Sequence, residues 1–304
     1  LFNVERSSIN TKIGQTLRER LLGPTTGKPF VYGTYALAGA SAFGIGLMCY
    51  YGLYGSQLDS AAFNMTIWPE YVRSRLQLTY GYFGSSLLAT ATSAVMASRS
   101  PTIMNLMSTG RVFLLTMAAI VGSGMITRAI NYDNTLMKHI AWLFHAGIMG
   151  AMLAPLCILG GPALIRAAWY TAGLTGGLSL IAFSAPSEKF LKMYGPLAMG
   201  LGIVFVANIG TFFFPPGTAL GASLASIVVY GGLILFSAFL LHDTQRVVKL
   251  AESYPVVLKN QFNYDYEIMR RFDPINAQMS IYLDVLNIFI RMAMIIGGGG
   301  ARRK

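Results

Sequence analysis

The stretch DPINAQMSIYLDVLNIFIRMAMII, residues 273 to 296, carries an aspartate in the middle of an apolar run. If a helix starts at Pro274, a rise of roughly 1.5 Å per residue brings Asp284 about 15 Å inward, near the midplane of a membrane core about 30 Å thick. Because a carboxylate in hydrocarbon is costly, an ionisable residue at this depth predicts a functional site. The alternative is a buried aspartate that serves packing only, paired with Arg291 or capped by Asn287.

The polar residues of this stretch recur three or four positions apart, so they share one face of the predicted helix. They are Asn276, Ser280, Asp284, Asn287 and Arg291. This face must contact protein or water rather than lipid, which indicates a helix that is surrounded by other helices.

The composition is that of a polytopic helical membrane protein, with 54% hydrophobic and 12% charged residues. Eight apolar stretches are long enough to span a membrane: about 33 to 54, 76 to 97, 112 to 130, 139 to 160, 163 to 184, 197 to 214, 219 to 241 and 277 to 296. None alternates with period two, which disfavours a barrel. We therefore predict an all-α bundle with eight spans within residues 31 to 304 and with both termini on the same side.

The N-terminal segment, residues 1 to 30, is basic, and Ile9, Ile13 and Leu17 repeat every four positions in it. This pattern predicts a short amphipathic helix on a membrane surface; the alternative is a frayed tail with accidental periodicity. The net charge of +11 lies largely in the tails and short loops, so anionic lipid rather than nucleic acid is the expected partner. Because residue 1 is Leu, we take the chain as a processed or incomplete product, with a removed targeting sequence as the hypothesis.

Small residues four positions apart predict close helix packing, as at Gly147 and Ala151 in the fourth predicted span. We expect a neighbouring helix to lie against this pair.

Three charged residues from different spans are predicted to lie towards one side of the membrane. The third and seventh spans run in the same direction and end near Arg128 and Asp243, and the eighth helix starts on that side and carries Asp284. The segment HDTQRVVKLAE, residues 242 to 252, contains no Gly or Pro, so the seventh helix is expected to continue through Asp243. Asp243 either joins Asp284 along a route into the core or is a solvated residue at a helix end.

Two carboxylates at hydrogen-bond distance share a proton, and the same pair when deprotonated offers hard oxygen ligands to Ca²⁺. Asp243 and Asp284 are therefore candidate ligands for protons and for Ca²⁺, and no resident cofactor is expected. His242 is a candidate for tuning or relaying protons, although adjacent residues on a helix point in different directions. Asn287 and Arg291 are further candidates for tuning because they share a helix face with Asp284.

The motifs argue against an enzyme. An aspartyl protease within the membrane pairs Tyr-Asp with Gly-x-Gly-Asp, and neither LLHDTQ nor IYLDVLN contains such glycines. No glycine loop for phosphate precedes a helix, and no arrangement of Ser, His and Asp is apparent.

Four strings of the chain carry a resemblance: LGGPALIRAAWYTAGLTGGLS at 159 to 179, APSEKFL at 185 to 191, HDTQRVVKLAE at 242 to 252 and DPINAQMSIYLDVLNIFIRM at 273 to 292. Together they closely resemble the mitochondrial branch of the transmembrane Bax inhibitor motif family. The similarity runs from about residue 32 to the C-terminal ARRK. It implies a seven-helix core around a central last helix, here preceded by one extra N-terminal span.

The resemblance also implies residence in the mitochondrial inner membrane, cristae organisation, retention of cytochrome c, and pH-dependent Ca²⁺ leak or Ca²⁺/proton exchange. The paired aspartates of the family fall on Asp243, within DTQ, and on Asp284, within LDVLN. A basic residue that latches onto the acid pair matches Arg128 by order and side. The wider family commonly has Tyr before DTQ, where this chain has His242, and this difference is expected to shift the pH response.

Two functions follow as hypotheses. The first is a Ca²⁺/proton exchanger or pH-sensitive Ca²⁺ leak channel of the inner membrane, gated by the aspartate pair and linked to cristae organisation and apoptosis control. The second is a scaffold for inner-membrane complexes, including respiratory assemblies, without transport activity. The distribution of Lys and Arg does not decide which side the termini face, and the matrix is the working expectation.

Overall fold

A computed structural model describes residues 36, 39–40, 42–47, 50, 68–108, 110–185, 189–215, 217–253, 256–258 and 268–300. The predicted amphipathic segment 1–30 and most of the first predicted span, 33 to 54, lie outside the described residues.

The described part of the chain is built almost entirely from helices. In chain order they are α1 Glu70–Ser98, α2 Pro101–Ser108, α3 Gly110–Ala129, α4 Thr135–Leu153, α5 Gly161–Ser184, α6 Tyr194–Phe213, α7 Ala219–Ser226, α8 Gly232–Ser253 and α9 Pro274–Gly300. A π-helical turn, Ile227–Gly231, joins α7 to α8. Two strands, β1 Val256–Leu258 and β2 Ile268–Arg270, pair antiparallel between α8 and α9. The predicted all-α membrane bundle is confirmed, with this short ribbon as an addition.

Four helical segments of the described chain are long and apolar enough to cross a membrane: Thr135–Leu159, Leu191–Phe213, Ala219–Ser253 and Pro274–Gly297. They coincide with the predicted spans four, six, seven and eight. Predicted spans two, three and five coincide with α1, α3 and α5, of which α3 contributes a shorter apolar helix, Leu115–Ala129. Helices α1 and α5 are rich in Gly, Ser and Thr, which lowers their hydropathy. The number of eight spans stays a prediction.

The start of α9 follows the chemistry of its first residues. The Asp273 carboxylate accepts a hydrogen bond from the Asn276 backbone N–H at 2.9 Å and so caps the helix. Pro274 occupies the first helical position, where its missing N–H removes no hydrogen bond. The predicted start of the last helix is thereby confirmed.

The described residues divide into two compact units. One contains α6, α7, the helical residues 42–47 and α8 as far as Leu235. Within it, Leu224 lies against Gly210 and Leu235 against Gly200, where an added Cβ would come within 3 Å of the leucine side chain. These glycines let the helices of this unit approach closely.

The second unit contains α1 to α5, the rest of α8, and α9. Helix α9 packs against both α1 and α5. Half of the most apolar 18-residue stretch of α9 is buried, compared with 17% of the corresponding stretch in the segment that contains α6. Tyr282 and Leu286 of α9 join Met149 and Leu153 of α4 in one hydrophobic cluster. The last helix is therefore central to this unit, as the family resemblance implied.

The contact between α1 and α4 depends on a glycine. A Cβ added at Gly150 would lie less than 3 Å from the Thr90 carbonyl oxygen, the Ser93 Cβ and the Ala94 backbone nitrogen. Two of these three atoms belong to the backbone of α1, which cannot move aside as a flexible side chain does. The prediction that a helix lies against Gly147 is confirmed, because the Ser93 hydroxyl of α1 donates to the Gly147 backbone oxygen at 2.8 Å. A Cβ at Gly147 would nevertheless meet no described atom within 4 Å, so the close approach requires glycine at position 150 and not at 147.

We expect Gly150→Ala to destabilise the protein by about 1–3 kcal/mol, because the methyl group overpacks the interface. Gly147→Ala is the matched control on the same helix, and it should be neutral or stabilising because Ala favours helix over Gly by about 1 kcal/mol. Denaturation of both variants in mild detergent measures the difference. Equal stability of the two variants would contradict this account of the α1 and α4 contact.

Candidate functional site

Helices α8 and α9 lie side by side and antiparallel. Towards one end the Arg291 guanidinium stacks on the Phe236 ring, 4.4 Å from the ring centroid. Towards the other end Val247 and Ala277 line the same cavity. The ring contact at one end and the shared cavity at the other together define the register of the pair.

The register brings the two predicted aspartates to the same level. Asp243 is seven residues from Phe236 along α8, and Asp284 is seven residues from Arg291 along α9. Seven residues make about two helical turns, or roughly 10 Å of rise, so each aspartate lies below its own contact residue on nearly the same helix face. Asp243 is near enough to Asp284 for their charges to interact.

Both aspartates are buried, with relative exposures of 8% for Asp243 and 5% for Asp284. The alternative that Asp243 is a solvated residue at a helix end is therefore wrong. The Asp284 Oδ2 atom is buried and has no hydrogen-bond partner among the described residues. Buried polar atoms are normally paired, so this oxygen is available to a proton, a water molecule or a cation.

His242 contacts Asp243 directly. Its Nδ1 lies 2.7 Å from the Asp243 Oδ1, and both side chains are almost fully buried. The expectation that adjacent residues on a helix point apart is wrong here, because both side chains are long enough to turn towards each other. With the carboxylate ionised, the imidazole Nδ1–H donates and fixes the tautomer of the ring. His242 can thus orient the Asp243 carboxylate.

Arg291 and Asn287 of α9 pair with each other rather than with Asp284. The buried Arg291 guanidinium donates to the Asn287 backbone oxygen at 2.8 Å and to its Oδ1 at 3.0 Å. Asn287 Nδ2 in turn donates to the Leu283 backbone oxygen. Among the described residues no ion pair joins Arg291 to Asp284. The pairing that would explain Asp284 as a packing residue is therefore not formed.

The DTQ string also holds α8 to the end of α5. Gln245 accepts a hydrogen bond from the Phe190 backbone N–H at 2.8 Å and donates to the Ala182 backbone oxygen at 3.3 Å. Two strings that are far apart in the sequence, around residues 185 to 191 and 242 to 252, therefore meet beside Asp243.

Arg128, the predicted latch, is exposed at the end of α3. It lines the same cavity as Val247 and Ala277, together with Arg246 and Ser280. In the described part of the chain no ion pair joins Arg128 to Asp243 or Asp284. Its role as a latch stays a prediction.

A buried lysine that sequence reasoning missed ties together three helix ends. The Lys138 ammonium forms an ion pair with Asp273 at 2.7 Å and is fully buried. It also donates to the backbone oxygens of Thr127 and Ile130 and to the Asn276 Oδ1, at 2.8 to 2.9 Å. Lys138 directly precedes the fourth apolar stretch, a position that indicates a boundary residue and gives no signal of burial.

The described residues hold no cluster of three or more His, Cys, Asp or Glu side chains arranged for a metal ion. Two carboxylates supply at most four oxygens, fewer than the six to eight that Ca²⁺ takes. Any Ca²⁺ at the aspartates would therefore need water or carbonyl oxygens to complete its shell.

Antiparallel apolar helices with buried carboxylates at one level define a polytopic membrane protein with an ionisable interior. A family model described as Inhibitor of apoptosis-promoting Bax1 matches residues 72–301. The chain therefore belongs to the Bax inhibitor family of membrane proteins.

Relatives agree with this assignment. The chain is 48% identical over 299 residues to growth hormone-inducible transmembrane protein of Rattus norvegicus, covering 96% of this chain and 84% of that protein. It is 26% identical over 226 residues to inner membrane protein YbhL of Escherichia coli (strain K12), covering 72% of this chain and 88% of that protein. Bax inhibitor 1 of Rattus norvegicus is 30% identical over 118 residues, covering 38% of this chain and 47% of that protein. No solved structure matches the chain.

Proposed function

We propose that this protein moves Ca²⁺ across the mitochondrial inner membrane in exchange for protons or as a pH-sensitive leak, through Asp243 and Asp284. The observation that carries the proposal is the unpartnered, buried oxygen of Asp284 at the level of a second buried carboxylate. Acids buried in transmembrane helices commonly mark ion or proton pathways.

Charge balance explains how one site can serve both ions. Two ionised carboxylates carry two negative charges, which one Ca²⁺ neutralises. Two protons neutralise the same pair, so the occupied site is neutral with either ion and tolerates its low-dielectric surroundings. Protons and Ca²⁺ therefore compete, and Ca²⁺ movement should fall as pH falls because protonated carboxyls lose their affinity for the cation.

The membrane location and the cellular roles that we propose are those that the family resemblance implies. We place the chain in the lipid bilayer of the inner membrane with both termini towards the matrix, and expect links to cristae organisation and apoptosis control. The matching family model and one matched protein are both described as inhibitors of Bax, which supports the last link. Contacts with inner-membrane complexes, including respiratory assemblies, belong to the same proposal.

The test is Ca²⁺ flux in proteoliposomes that contain the purified full chain alone, with a Ca²⁺ indicator inside and an imposed pH gradient. The proposal is supported if Ca²⁺ influx increases as the pH of the external solution, from which Ca²⁺ enters, is raised. Folded protein that shows no flux at any pH would contradict it and would favour the scaffold function, which binding to respiratory assemblies would then examine.

Arg128→Ala should raise the basal Ca²⁺ leak by about tenfold to a hundredfold. A latch that holds the acids by a charge-assisted hydrogen bond contributes on the order of 1.5 to 3 kcal/mol to the closed state. Arg166→Ala is the matched control, since Arg166 is exposed on α5 and does not line the cavity. Flux without a pH gradient measures the leak, and equal leak in both variants would show that Arg128 is not a latch.

A further inference from the structure

A cavity of about 210 Å³ opens where α3 ends and α9 begins. Its walls are contributed by the end of α3, the C-terminal half of α8, Phe272 and the first turns of α9. They comprise Arg128, Arg246, Val247, Leu250, Phe272, Asp273, Asn276, Ala277 and Ser280. Since a water molecule takes up about 30 Å³ of the liquid, the space is ample for a tetrahedral group of four oxygens.

The charges at this cavity are predominantly positive. Arg128 and Arg246 are both exposed, and neither guanidinium has an ion-pair partner among the described residues. The carboxylate in the wall, Asp273, is already committed to the Lys138 ammonium at 2.7 Å and to the Asn276 backbone N–H at 2.9 Å. With Asp273 neutralised by Lys138, two positive charges remain.

The donors at the walls suit an oxyanion and not a cation. Each guanidinium presents N–H groups in a planar fork that matches the oxygens of a phosphate group. Ser280 lines the cavity one turn before Asp284, and its side chain carries a neutral donor. A divalent cation would be repelled by the two guanidinium groups. Among the described residues that line the cavity, the carboxylate of Asp273 is already paired with Lys138.

We infer that this cavity is a binding site for a phosphate group, carried either by free inorganic phosphate or by the headgroup of an anionic phospholipid. Arg128 and Arg246 bind the phosphate oxygens, and Lys138 keeps Asp273 from competing with the ligand. The site goes beyond the proposed transport function. It shares Arg128 with the proposed latch, but phosphate binding can be measured without any movement of Ca²⁺.

The test separates the two sources of phosphate. In one arm, inorganic phosphate is titrated calorimetrically into the full chain in phosphatidylcholine nanodiscs. In the other arm, nanodiscs that also contain phosphatidic acid are prepared, and native mass spectrometry measures how much of this lipid the protein retains. Each arm compares the unmodified protein with Arg128→Gln, Arg246→Gln and the control Arg271→Gln. Arg271 is 81% exposed, pairs with Asp133 at 3.8 Å and does not line the cavity.

Loss of one guanidinium should weaken binding by about tenfold or more. Arg246→Lys should give an intermediate loss, because it keeps the charge and removes the fork. A heat of phosphate binding that both cavity variants lose identifies the free ion, and retention of phosphatidic acid that they lose identifies the headgroup. The inference is overturned if neither arm gives a signal with the unmodified protein, or if Arg271→Gln reduces binding as much as the cavity variants do.

Discussion

Asp284→Asn is expected to remove the pH dependence of Ca²⁺ movement and to lower the flux by at least about tenfold. Asparagine keeps the size and polarity of the side chain but cannot release a proton, so the site loses its titratable charge and one of its two carboxylate ligands. The fold should persist, because the Asp284 Oδ2 atom has no hydrogen-bond partner to lose among the described residues. Flux in proteoliposomes over a range of pH measures the effect.

Asp133→Asn is the matched control, since Asp133 is an exposed carboxylate between α3 and α4. This variant should transport as the unmodified protein does. The assignment of Asp284 to an ion pathway is wrong if the Ca²⁺ flux of the Asp284→Asn variant keeps the pH dependence of the unmodified protein.

The coupling of the two acids can be measured in the same assay. If Asp243 and Asp284 form one site, Asp243→Asn should resemble Asp284→Asn, and the double variant should add little to either single change. Independent sites would instead give additive losses. Additivity would leave Asp284 as an isolated buried acid and favour the scaffold function.

Lys138→Met should destabilise the protein by about 3–5 kcal/mol. The change leaves the Asp273 carboxylate, whose side chain is 17% exposed, without its cation, and breaking a buried ion pair from one side is costly in this range. The backbone oxygens of Thr127 and Ile130 also lose their donor. Thermal or detergent-induced unfolding measures the difference.

A second substitution separates the ion pair from simple packing. Lys138→Met combined with Asp273→Asn removes the uncompensated charge, and Asn remains a good helix cap, so stability should partly return. If the double variant is as unstable as the sum of the single changes, the destabilisation arises from packing and not from the unpaired carboxylate.

The sequence predicts the aspartates of the candidate site because the free-energy cost of a carboxylate in an apolar run depends on that one segment alone. A carboxylate such as Asp284 inside an apolar run is unfavourable wherever the other helices lie, and so is visible without a structure. The helical continuation past residue 242 is equally local, since no Gly or Pro interrupts it. Both predictions depend on one segment at a time.

Features that depend on two segments are not predictable in this way. Lys138 precedes an apolar run, and its counter-charge Asp273 is supplied from the far end of the chain. The spacing of small residues in α4 does not show which glycine leaves no room for a Cβ, and only the position of α1 identifies Gly150 rather than Gly147. The contact of His242 with Asp243 depends on side-chain rotamers, which spacing along a helix does not specify.

The ion pair of Lys138 has a consequence for the order in which the chain is made. When the ribosome has completed α4, the Lys138 ammonium has carbonyl groups within reach, but Asp273 has not yet been synthesised. Until α9 has packed against the earlier helices, the Lys138 ammonium therefore lacks its counter-charge. A chain that ends before Asp273 should keep this unneutralised charge, so its early helices are expected to be less stable than they are in the full chain.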